Sequence, residues 1–89
     1  MKNVERLERL AARHGLPARH VRVECAGKGR GFTLYAYDPT AESMFDKHPG
    51  AWFQVAYYPA LHIALEYLPK HVARFLQERP AAGEAADNG

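Results

Sequence analysis

Between Leu61 and Leu76 the apolar residues recur at helical steps, and a proline stands in the middle of them. Leu61, Ala64, Leu65, Leu68, Val72, Phe75 and Leu76 follow one another at one-, three- and four-residue steps, the stripe of an amphipathic helix. Pro69 inside such a helix removes one hydrogen bond and crowds the carbonyl of Leu65, at a cost of roughly 3 kcal/mol. The stripe still passes through it in phase, so the spacing predicts one kinked helix or two collinear pieces. The competing reading makes 61–67 a further strand, with Ile63, Leu65 and Tyr67 alternating and Pro69 opening a short final helix. The Ala, Leu and Glu content favours the helix.

Just before this stripe, 52–58 is rich in aromatic and β-branched residues and follows the turn pair Pro49-Gly50, so it reads as a strand. Pro59 ends it, because proline has no N–H for a ladder. Strict alternation puts Trp52, Gln54, Ala56 and Tyr58 on one face and Phe53, Val55 and Tyr57 on the other. Both faces are largely apolar, which predicts a central strand covered on each side.

The N-terminal third is better punctuated. Asn3 is suited to cap a helix whose apolar stripe is Val4, Leu7, Leu10 and Ala11, with Glu5 near its start and paired at i,i+4 with Arg9. Gly15 supplies the left-handed position that ends it, Leu16 folds back onto Leu10 or Ala11, and Pro17 prevents continuation. From His20 to Ala26 the chain alternates, with Val21, Val23 and Cys25 on one face and Arg22 and Glu24 on the other. Phe32, Leu34 and Ala36 alternate with Thr33, Tyr35 and Tyr37. Around the five-residue loop Gly27-Lys28-Gly29-Arg30-Gly31, these two strands predict an antiparallel hairpin. Asp38-Pro39 then resembles the start of a short helix, with Ala41, Met44 and Phe45 on one side, closed by His48-Pro49-Gly50. An insertion of this length, 38–50, is a common place for function.

The expected fold is therefore α+β: a small antiparallel sheet of about three strands, in the order α-β-β-short α-β-α, with two helices packed on one face. That arrangement leaves the other face partly open, lined by some of Tyr35, Tyr37, Trp52, Gln54 and Tyr57. Residues 1–79 are expected to form a single globular domain and 80–89, small, polar and acidic, a disordered tail.

Charge and cysteine usage narrow the classes. The net charge of +2 hides an asymmetry. Residues 1–31 carry eight Lys and Arg against three Glu, whereas 32–89 carry four against seven acids. The first third is thus a candidate attachment site for an anionic partner, or a solvated helix face with a basic hairpin. Cys25 is the single cysteine, which excludes an internal disulfide and fits a reducing cytoplasm. No apolar run is long enough to span a membrane, and the charged start MKNVERLERL has no signal-peptide core.

Motifs for chemistry are sparse. The GKGRG loop joins two strands instead of opening a helix, which argues against a nucleotide cradle. The five histidines include His62, four residues from Glu66, but two ligands are not a metal site, and Glu66 with Lys70 reads as an ordinary helix pair. Cys25, expected on an apolar strand face, reads as a small core residue and not a nucleophile. An enzyme is therefore the least favoured class, and neither a cofactor nor a metal is expected. The ten aromatic residues offer either a core or an exposed recognition surface.

With Pro59-Ala60-Leu61-His62 opening the last helix, the α–β–β–β–α order resembles the double-stranded-RNA-binding domain in topology. That family grips phosphates with lysines at the start of its second helix; no cation stands there in this sequence, so no residue role carries over. In size, single-domain build and lack of a catalytic grouping the chain is similar in kind to small phage inhibitors of host defence, the anti-CRISPR class among them. The leading expectation is a non-catalytic protein-binding module of that kind, docking on a larger host protein or nucleoprotein complex. Its contact residues would be Arg22, Lys28, Arg30, Tyr35, Tyr37 and Trp52. The alternative is a nucleic-acid-binding domain, with Arg19, Arg22, Lys28 and Arg30 on phosphates and the sheet tyrosines stacking on bases.

Overall fold

A computed structural model describes residues 2–26, 30–41 and 50–83. Helix α1 spans Asn3–Arg13, strand β1 Val21–Cys25, β2 Phe32–Asp38 and β3 Ala51–Tyr58, and helix α2 spans Leu61–Glu78. Two short 3-10 turns, Ala18–His20 and Pro80–Gly83, precede β1 and follow α2. The strands form one antiparallel sheet in the order β1-β2-β3, with both helices on one face. The architecture is the small α+β fold that the sequence pattern predicts. The short helix expected between β2 and β3 lies outside the described residues.

Helix α1 ends as its glycine dictates. Gly15 has φ 119°, and Leu16 N–H bonds Ala11 C=O at 3.2 Å while Gly15 N–H bonds Ala12 C=O at 3.2 Å. This pair of bonds satisfies carbonyls that the helix would otherwise leave open and drops Leu16 into the core, fully buried. The start differs from expectation. Lys2 is the capping position, Asn3 is already helical, and no side chain caps the first turn. Helix α2 runs unbroken through Pro69, so the helical stripe prevails over the strand reading of 61–67. Ala64, Leu68, Val72 and Phe75 are its buried residues, and their packing offsets what the proline costs.

The core lies between the helices and one face of the sheet, around Leu7, Leu16, Val23, Leu34, Tyr58, Leu68 and Val72. Strand β2 alternates fully, with Phe32, Leu34, Ala36 and Asp38 turned inward. Strand β3 does not. Ala36 pairs with Phe53 and Tyr35 with Gln54, but Leu34 pairs with Ala56, so Val55 is an extra residue. This bulge flips the alternation half-way along the strand. Phe53, Ala56 and Tyr58 therefore share the helix side, and Trp52, Gln54 and Tyr57 the open side. The strict faces expected for this strand are corrected accordingly.

Two further expectations change. Strand β3 is an edge and β2 is the centre. Both faces of β3 are apolar because one meets the core and the other is an aromatic surface; no second layer of described residues covers it. Cys25 is exposed, not a core residue. It pairs with Phe32 at the far end of β1, beyond Val23, where the buried part of that strand stops. At the other end of the chain, Ala82 is buried and its carbonyl bonds His20 Nδ1 at 2.8 Å, so Pro80–Gly83 packs on the domain. No described helix is long and apolar enough to cross a membrane.

Candidate functional site

The face of the sheet opposite the helices is built by cross-strand rows. Arg22 pairs with Tyr35, which pairs with Gln54; Glu24 pairs with Thr33, which pairs with Tyr57; and Tyr37 pairs with Trp52. Register partners in an antiparallel sheet share a face, so these eight side chains form one surface. All five residues expected to line an open face, Tyr35, Tyr37, Trp52, Gln54 and Tyr57, are on it. Trp52 is 47% exposed and Tyr57 51%, which is high for side chains of this size.

The rings are held against one another. Tyr37 and Trp52 lie tilted with centroids 5.3 Å apart, and the His20 ring stands 5.4 Å from Tyr37 on the other side. The Arg22 guanidinium reaches across β2 to lie 5.9 Å from the Trp52 ring centre. Arg22, Glu24, Tyr35 and Trp52 together line a shallow hollow of about 300 Å³. At one end of the face Tyr57 donates its hydroxyl proton to the carbonyl of Arg30. Gly31, next to Arg30, has φ 110°, and a Cβ there would stand 2.6 Å from the carbonyl oxygen of Tyr58. Only glycine fits this close approach, which brings Arg30 and Gly31 beside Tyr57.

At the other end, Asp38 fixes the base of the 38–50 insertion. Its Oδ1 accepts the Thr40 N–H at 2.9 Å and the Thr40 hydroxyl at 2.8 Å, and its Oδ2 accepts Arg79 at 3.1 Å. Burial alone would raise its pKa, but the two Thr40 bonds and the Arg79 bond and charge outweigh it and hold the carboxyl below its ordinary value. Arg79 also lies over the Phe53 ring, 3.9 Å from its centre, so one guanidinium ties α2 to both β2 and β3. Nothing in the sequence marks Arg79 for this role. Its partner is 41 positions away, and no local pattern links them.

Of the other sequence candidates, Arg22, Tyr35, Tyr37 and Trp52 are brought together, and Arg30 stands exposed at the loop end of the same face. Lys28 lies outside the described residues. The basic first third is divided by the fold. Arg6, Arg9 and Arg13 line a groove with Leu10 and Leu65 between the two helices, on the opposite side of the sheet from Trp52. On the aromatic face itself, Arg22 stands 3.9 Å from Glu24 with both side chains exposed. Among the described residues no three of His, Cys, Asp and Glu are grouped to hold a metal ion. Two histidines instead serve neighbours, His20 at the Ala82 carbonyl and His71 at Tyr58. His71 Nδ1 lies 2.7 Å from the Tyr58 hydroxyl, whose pKa burial pushes above its ordinary value.

No family model, curated protein or solved structure matches this chain.

Proposed function

We propose that this chain is a non-catalytic protein-binding module and that the open face of its sheet is the docking surface. One observation supports this above the others: Trp52, Tyr57, Tyr35 and Tyr37 are gathered on the face that neither described helix covers, with Arg22 and Gln54 among them. Trp, Tyr and Arg are the residues that carry most binding energy at protein interfaces, because each joins a large apolar body to a polar tip. An exposed cluster of such rings is a cost to a free domain unless something covers it. The partner in this reading is a larger host protein or nucleoprotein complex, and a phage or mobile-element inhibitor of host defence is the role that suits a small module without catalytic grouping.

The nucleic-acid reading is weaker on this surface. Its cation Arg22 has Glu24 beside it, and the arginines of α1 face away. A photo-reactive residue at Gln54, in the middle of the face, tests the proposal in the producing cell. A discrete protein adduct is expected from position 54, none from Glu66 on the helix layer, and none from position 54 once Trp52→Ala is added. Adducts to RNA or DNA from position 54 would move the assignment to nucleic acid. Equal labelling from both positions would overturn the docking face.

A further inference from the structure

The two edges of the sheet are built differently. Strand β1 is short, Val21–Cys25, and carries Arg22 and Glu24. Its outward Val23 N–H is already taken, donated to Glu8 Oε2 of α1 at 2.9 Å. Charge, shortness and a capped N–H are the means by which proteins close an edge to further pairing. Strand β3 has eight residues, AWFQVAYY, with no charge and no proline; a single bulge at Val55 interrupts it, and among the described residues it pairs on one side only. Beside its free edge a groove of about 350 Å³ runs under α2, lined by Phe53, Gln54, Val55, His71, Arg74 and Glu78, among others.

From this contrast we propose that β3 is the edge through which two copies of the chain pair, antiparallel about a two-fold axis, into one six-stranded sheet. Two features single out a second copy as the occupant. The first is charge. Tyr58 meets His71 and Phe53 meets Phe75 and Arg79, so α2 runs antiparallel over β3. An axis through the middle of β3, at Gln54 and Val55, then falls between Arg74 and Glu78 on α2. These two side chains are exposed, 3.6 Å apart in one copy, and a two-fold sets each opposite the other's counterpart. The second is closure. Joining β3 to β3 leaves only the two β1 strands as outer edges, and both are blocked. The assembly stops at two and does not grow into a fibre. This pairing is separate from the docking face and extends that surface across both copies.

Light scattering on the full chain across a concentration series, with amide exchange, tests it. A dimer of twice the chain mass is expected, with exchange in 51–58 slowing as the dimer fills. Arg74→Glu and Glu78→Arg should each raise the dissociation constant roughly tenfold by placing like charges across the axis. The double variant Arg74→Glu/Glu78→Arg should restore it. Both positions are exposed, and circular dichroism will verify that each variant folds. A monomer at every concentration, unlimited growth, or a dimer indifferent to the single swaps would each overturn the pairing.

Discussion

The two faces of β2 and β3 are made of neighbouring residues and do opposite things. Toward the helices, Phe32, Leu34, Ala36 and Tyr58 are buried, and Leu34 and Ala36 are wholly so. Toward solvent, Trp52 and Tyr57 are exposed and Tyr35 and Tyr37 half-buried. Adjacent positions such as Leu34 and Tyr35 thus belong to different problems. The inner face holds the fold together by removing apolar surface from water. In the proposed function the outer face adds little to that and receives a partner. Hydrophobicity alone would not separate them, since the exposed side chains are as apolar in body as the buried ones.

This division can be broken or sharpened by substitution. The largest effect is expected from Leu34→Ala, which empties a fully buried site at the centre of the sheet. Urea unfolding should show a loss of about 2–5 kcal/mol. Asp38→Ala removes the acceptor for Thr40 and Arg79 and should cost about 1.5–3 kcal/mol, the range for hydrogen bonds to a charged group. Its pH dependence has a definite sign. The folded-state pKa of Asp38 is depressed, so the unfolded chain binds the proton more tightly. Its contribution is therefore complete above the unfolded value, about 3.9, and is lost as pH falls through the lower folded value. Stability of the wild type minus that of Asp38→Asn should shrink on acidification below about pH 4. Gly15→Ala strains a left-handed position and brings a Cβ within 2.8 Å of the Leu76 side chain. Thermal unfolding should register a loss of about 1–2 kcal/mol.

Much of the inner face is legible in the sequence, and the outer face only in part. The end of α1 follows from Gly15 and Pro17, because each imposes a backbone conformation locally. The passage of α2 through Pro69 is readable because the apolar phase is kept on both sides of it. The bulge at Val55 is not readable, since no glycine marks it and only the pairing with β2 defines it. That one residue decides that Tyr58 turns inward and Tyr57 outward. The edge position of β3 is hidden for a related reason: a strand apolar on both faces reads as central whether its second cover is another layer or a future partner. Cys25 fails because alternation says which way a side chain points but not where the covering helix ends. The site residues Arg22, Tyr35, Tyr37 and Trp52 are recoverable from alternation within the hairpin and the start of β3, where no bulge intervenes. The Asp38–Arg79 pair joins opposite ends of the chain, and only the folded arrangement brings it together.

The smallest expected effect is also the most direct test of the division between faces. Trp52 is the single tryptophan, so unfolding of Trp52→Ala is followed by far-ultraviolet circular dichroism beside wild type in a urea series. If the outer face serves a partner and not the fold, the variant should lose less than about 1 kcal/mol, as exposed positions do. A loss equal to that of Leu34→Ala would mean that the open aromatics are structural, and would contradict the assignment of this face to docking.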